Sequence, residues 1–105
     1  MSTTAKSKNK ISIRLTDERF NHIIRSHPEV SKSDYLTILK TIGEPDIIFA
    51  GFRKELSAVK RQKSKNRWFV VIYKEEIKDG FVITAYVTTD TKWLLKKKII
   101  WSKKY

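Results

Sequence analysis

His27, Lys60, Arg61, Thr84 and Tyr86 bring together an imidazole, two cations and two hydroxyls. Side chains of these types suit metal-independent cleavage of RNA by its own 2′-hydroxyl, which needs a group to take that proton, an acid for the departing 5′ oxygen, and a cation or hydrogen-bond donors for the charged phosphorane. Imidazole titrates near neutrality, so His27 suits a proton-transfer role. It follows Phe20 and Ile24 at helical spacing and so points toward the protein, a place that equally suits a satisfied helix-capping histidine. Strand alternation puts Lys60 and Arg61 on opposite faces, so only one of them shares a face with Thr84 and Tyr86; for each, the structural alternative is a sheet-edge gatekeeper. Thr84 and Tyr86 fall on the hydroxyl-bearing side of Phe81–Thr88, where they offer donors to phosphate oxygens or are simply good strand formers on a solvated face.

Other chemistries fit less well. The absence of Cys removes thiol nucleophiles and zinc knuckles, and two His alone do not make a zinc site. Pro45-Asp46 followed by Glu76-Ile77-Lys78 satisfies a loose PD...ExK spacing of magnesium nucleases, but its Glu and Lys fall beside the Asp79-Gly80 turn signal. With no carboxylate cluster, no metal or other cofactor is expected.

Twenty-three Lys and Arg against eleven Asp and Glu give a net charge of +12. The charge is concentrated in residues 53–68 (+6) and 92–105 (+6), with +3 in the first ten. Trp68, Trp93, Trp101 and Tyr105 interleave the two larger blocks, a pattern of stacking faces beside phosphate-binding cations. The expected RNA contacts are Lys63, Lys65, Arg67 and Trp101, together with His22 and Arg25 of the first helix. His22 is on that helix's polar face with Glu18, Arg25 and Ser26.

The elements that must position these groups follow from periodicity. At 105 residues the chain fits one domain. Residues 1–10 hold almost nothing apolar and are expected to be a disordered basic arm, with a single domain over 11–105 that ends in a Lys/Trp-rich segment. Ile11, Ile13 and Leu15 alternate as a strand; Thr16 is a helix N-cap with Asp17 and Glu18 behind it, and Pro28 stops that helix near His27. Ser31 to Asp34 has capping-box spacing and opens a second helix with a stripe of Tyr35, Leu36, Ile38, Leu39 and Ile42, closed near Gly43. Strands follow at Ile47–Phe49, Leu56–Lys63, Trp68–Tyr73 and Phe81–Thr88, the third apolar throughout and therefore central. The tail from Lys92 reads as strand or short helix. The expected fold is α+β, with two N-terminal helices packed on a roughly four-stranded antiparallel sheet. No apolar run is long enough to span a membrane and no signal sequence opens the chain, so a cytoplasmic protein is expected.

In order along the chain, His22-Ile23, Arg25-Ser26-His27-Pro28-Glu29, Ile42-Gly43-Glu44-Pro45-Asp46, the Lys60-Arg61 strand and Phe81-Val82-Ile83-Thr84-Ala85-Tyr86 resemble the phage-associated branch of the barnase/EndoU/colicin/RelE-like (BECR) nucleases. The resemblance covers about residues 11–90. It implies two helices followed by a four-stranded antiparallel sheet, with a metal-free ribonuclease site on the sheet face. By position it matches His27 to the helix histidine, Lys60 or Arg61 to the strand cation and Thr84 to the strand hydroxyl, with Tyr86 beside it. Ser26 stands where a basic residue is common in that family. The expectation is a toxin-like or phage-defence endoribonuclease acting on tRNA or mRNA, with an antitoxin or immunity protein as a further partner. A nucleic-acid-binding module that does not cut, and an mRNA interferase that depends on the ribosome, are the alternatives.

Overall fold

A computed structural model of the chain describes residues 2–90, 92 and 96–103. The order of elements is β1 (Ser2–Lys6), β2 (Ser12–Thr16), α1 (Asp17–Ser26), α2 (Tyr35–Gly43), β3 (Ile47–Ala50), β4 (Leu56–Gln62), β5 (Arg67–Glu75), β6 (Asp79–Thr88) and β7 (Lys98–Ser102). Single 3-10 turns lie at Lys32–Asp34 and Lys63–Lys65. No helix of the described residues is long and apolar enough to cross a membrane.

Local signals explain both helices. Thr16 Oγ1 accepts from the Arg19 N–H at 3.0 Å, Asp17 and Glu18 sit in the first turn, and the His27 N–H closes α1 on the Ile23 carbonyl at 2.8 Å. Asp34, itself buried, takes the Ser31 N–H at 2.9 Å in the turn that leads into α2. The two helices bury Phe20, Ile23, Ile38 and Ile42 against Ile13, Leu15, Phe69, Val71, Val82 and Ala85 of the sheet. Each such side chain stabilises the fold by roughly 1.5–3 kcal/mol. A smaller cluster on the opposite face of the sheet gathers Phe49, Val59 and Val70, flanked by Ile47, Trp68, Ile72 and Tyr86.

The sheet corrects the expected fold. It has seven strands in the order β1-β2-β6-β5-β4-β3-β7 rather than about four, and it is mixed, because β2 runs parallel to β6 over Ser12–Arg14 and Asp79–Phe81. Two strands precede the helices, so the helices are not N-terminal. Residues 2–6, expected as part of a mobile arm, pair antiparallel with β2. Their turn is pinned from far along the chain: the Ser7 hydroxyl bonds the Glu75 carboxylate, and Asn9 Nδ2 donates to Glu75 Oε1 at 2.8 Å. Lys8 of that turn holds its ammonium 5.1 Å from the Trp101 ring centroid on β7, so the sheet curls until its two edges approach.

Three smaller expectations also change. Leu36, assigned to the apolar stripe of α2, is 73% exposed. Asp79-Gly80 is not a turn but the start of β6; the Glu76 N–H bonds the Asp79 carbonyl at 2.6 Å, placing the reversal at Glu76–Lys78. Gly80 is required by close approach: a Cβ there would lie 2.2 Å from the Lys74 carbonyl oxygen and 2.7 Å from Ile13 Cδ1. A bulge in β6 then leaves Ile83 without a partner, since Ile72 faces Thr84 and Tyr73 faces Val82. Parity reverses there, and Val82 joins Ala85 in the helix-side core instead of Thr84 and Tyr86.

Candidate functional site

His27 sits where α1 must end, because Pro28 follows it. Strand β2 accompanies β6 only as far as Phe81, so among the described residues no strand pairs with the edge of β6 beyond it on that side. The segment after α1 fills the place: Glu29 Oε2 accepts from the Val87 N–H at 3.4 Å. The same carboxylate oxygen is 3.5 Å from His27 Nδ1. The His27 ring in turn lies against Tyr86, with centroids 5.9 Å apart and planes tilted by 34°. His27 thus bridges a helix end and the rim of the sheet, and its side chain is 34% exposed.

Tyr86 and Thr84 share the face opposite the helices, both half-buried. Burial pushes the Tyr86 phenol well above the ordinary tyrosine range, so it is a protonated hydrogen-bond donor at neutral pH. Cross-strand rows on this face run Val59, Val70, Tyr86 and then Arg61, Trp68, Thr88. Arg61 is therefore two strand spacings across the sheet from Tyr86, about 9.5 Å, and one row further along, about 7 Å, a separation of roughly 12 Å.

The Lys60/Arg61 alternative resolves by register. Lys60 faces Phe69 on the helix side, and its Nζ donates to the Glu44 carbonyl at 2.8 Å, where a cation complements the C-terminal end of α2. Arg61 alone of the two reaches the face of Thr84 and Tyr86. Its guanidinium is turned toward the β4–β5 turn: it lies 5.1 Å from the Trp68 ring centroid and donates from Nη2 to Asn66 Oδ1 at 2.8 Å. Its backbone N–H is held by Asp46 Oδ2 at 2.7 Å.

A hollow of about 810 Å³ opens there, lined by Asp46, Lys60, Arg61, Gln62, Lys63, Ser64, Trp68 and Lys103. Four cations meet one carboxylate in it, and His27 is not among its lining residues. The other expected RNA contacts are dispersed. Lys65 is exposed in the same turn as Lys63, and Arg67 donates from Nε to Gln62 Oε1 at 2.6 Å. His22 and Arg25 line a separate hollow of about 370 Å³ on α1 with Thr16, Glu18 and Arg19. Trp101 is half-buried under Lys8. Trp93 and Tyr105 lie outside the described residues.

The PD...ExK residues do not meet. Asp46 is bonded beside Val59 and Arg61, level with Val70 of β5. Glu76 follows the far end of β5, about 20 Å further along at 3.4 Å per residue. Glu29, Asn66 and Lys103 were not singled out as site residues from sequence. Glu29 was visible only as the end of the His-Pro-Glu run, and the other two acquire meaning only once the β4–β5 turn and β7 are folded beside Asp46. Comparison with protein-family models, with curated proteins and with solved structures gives no match for this chain.

Proposed function

We propose that the chain is a metal-independent endoribonuclease whose reaction is centred on His27 and Tyr86, in keeping with its resemblance to the BECR nucleases. The observation that carries this reading is the imidazole held against the Tyr86 ring at a sheet rim, with the Glu29 carboxylate beside its Nδ1. In this mechanism the 2′ oxygen attacks phosphorus as His27 takes its proton. Glu29 beside Nδ1 orients the ring and offsets the charge of the imidazolium. Tyr86 and Thr84 donate hydrogen bonds to the non-bridging oxygens of the phosphorane. The bond from phosphorus to the 5′ oxygen breaks, the 5′ oxygen leaves as an alcohol with a proton from solvent, and a 2′,3′-cyclic phosphate remains. Arg61 contributes positive charge on the same face and holds the strand next to the reacting phosphate rather than acting on it.

A second reading, a nucleic-acid-binding module that does not cut, is favoured by that same turning of Arg61 toward Trp68 and Asn66. Incubation of the full chain with structured and single-stranded RNA in excess EDTA tests both. The expected result is undiminished cleavage with 2′,3′-cyclic or 3′-phosphate ends. Tight binding with no cleavage selects the second reading, and a strict magnesium requirement lost on Asp46→Ala or Glu76→Ala overturns both.

A further inference from the structure

We infer that the hollow beside the β4–β5 turn is a seat for one unpaired nucleotide of a single-stranded RNA. Its base stacks on the outer face of the Arg61 guanidinium, with Trp68 behind, and its neighbouring phosphates rest on Lys63 and Lys103. The inference depends on RNA being the ligand proposed above, but not on cleavage.

Arginine side chains are normally mobile; the guanidinium of this one has two partners. Its central carbon lies over the Trp68 ring, 5.1 Å from the centroid, and Asn66 Oδ1 takes one of its N–H groups, while the Asp46 carboxylate fixes the backbone N–H from which the side chain springs. Asn66 is itself locked in a left-handed conformation (φ 48°) by the turn, its N–H on the Lys63 carbonyl at 3.1 Å. A guanidinium plane arranged before binding loses little further freedom when a flat ring settles on it, and bases stack on such planes as readily as on aromatic rings. The Trp68 ring is not itself bare, because it also packs on Phe49, Val59 and Val70. Arg61 and Trp68 both line the hollow, and the guanidinium over the ring is the plane the seat offers.

The surroundings select the ligand. The hollow is of a size that ordinarily holds a small organic group. Lys60 is already engaged by the Glu44 carbonyl, which leaves the exposed Lys63 and Lys103 for phosphates on either side. A base inside a duplex has both faces covered by its neighbours and cannot reach the plane, so the seat distinguishes looped or unpaired RNA from double-stranded RNA.

The test uses fluorescence anisotropy with the full chain and three 2′-O-methyl oligonucleotides of equal length: a single strand, the same strand annealed to its complement, and an abasic strand with identical phosphates. None of them has a 2′-hydroxyl to cleave, so the result stands whether or not the protein is a nuclease. The base-bearing single strand is expected to bind about 5- to 150-fold tighter than the abasic one, the range for stacking one base. Arg61→Lys, which keeps the charge and removes the plane, is expected to collapse that ratio toward one and leave abasic binding within a few fold. Lys63→Gln and Lys103→Gln should weaken both single strands in parallel, each lowering the salt slope by about 0.7. Equal binding of base-bearing and abasic strands by the wild-type protein, or an undiminished ratio in Arg61→Lys, overturns the seat. A chain that shows the expected ratio yet never cleaves RNA refutes the nuclease reading and leaves the seat intact.

Discussion

Replacing His27 by Ala removes two contacts whose sizes can be worked out. The contact with Glu29 at 3.5 Å is an ion pair only when His27 carries a proton, and with side chains 34% and 37% exposed such a pair contributes at most about 0.2–1 kcal/mol. The ring contact with Tyr86, 5.9 Å between centroids and tilted, belongs to the weak end of aromatic pairing, about 0.5 kcal/mol. The main chain is unaffected, since the cap of α1 is the His27 N–H and not its side chain. His27→Ala should therefore cost roughly 1 kcal/mol, a fall in Tm of about 4–8 °C for a domain of this size. If His27 moves the proton, cleavage should fall by about 10² to 10⁴, or about 2.7–5.4 kcal/mol in the barrier. The effect on the rate is several times the effect on stability, so the two separate cleanly. Thermal melting, anisotropy with an uncleavable RNA and single-turnover cleavage on His27→Ala, with exposed His22→Ala as control, measure all three quantities. A His27→Ala protein that is folded, binds RNA and cuts at the wild-type rate refutes the assignment.

Gly80→Ala sets a Cβ against the Lys74 carbonyl and Ile13 at the β2–β6 junction, and should cost at least about 1–3 kcal/mol in urea unfolding; an unchanged midpoint would show that the parallel pairing there is wrong. Burial raises the phenols of both Tyr73 and Tyr86. Each of them favours the folded state fully below the unfolded tyrosine range near pH 10, and that contribution is lost as pH climbs from there toward the folded value. Absorbance titration should therefore show these two phenols ionising only together with alkaline unfolding, and ionisation of every tyrosine near pH 10 in a folded chain would contradict their burial.

What the sequence revealed and what it concealed divide by range. Thr16, Pro28 and the Ser31–Asp34 box act within a few residues, and the two helices they delimit are those observed. β5 was legible as central because residues 68–73 are apolar at every position, and it lies between β4 and β6. The errors share a different cause. Ser7 and Asn9 look like solvated arm residues until Glu75, more than sixty positions away, offers them a carboxylate. Gly80 looks like a turn residue until Ile13 packs on it. No alternation rule anticipates the bulge at Ile83, and one extra residue was enough to move Val82 to the wrong face. The site was legible in part for the same reason. The opposition of Lys60 and Arg61 is strand parity, whereas the choice between them required knowing which face α2 covers, and the partnership of Arg61 with Asn66 and Trp68 depends on the conformation of the turn.

The distribution of carboxylates bears on why so basic a chain would need a polyanion. Five of its acidic groups act as structural acceptors. Asp34 takes the Ser31 N–H, Asp46 the Arg61 N–H, Glu55 the Arg53 N–H, Glu29 the Val87 N–H, and Glu75 the side chains of Ser7 and Asn9. The Glu55 carboxyl is accordingly held below its usual range, first by backbone N–H donation. Arg14 with Asp79 is an exception, at 3.3 Å and on the surface. The +12 remains after all eleven carboxylates are counted, and around the hollow where Arg61, Lys63 and Lys103 converge the carboxylate of the lining is Asp46. An anionic strand laid across that hollow toward Tyr86 would supply the missing countercharge, releasing condensed ions as it binds. The electrostatic gain is made where Arg61, Lys63 and Lys103 meet the strand, so affinity for RNA is set at the hollow and substitutions at the proposed reacting groups should alter the rate far more than the binding.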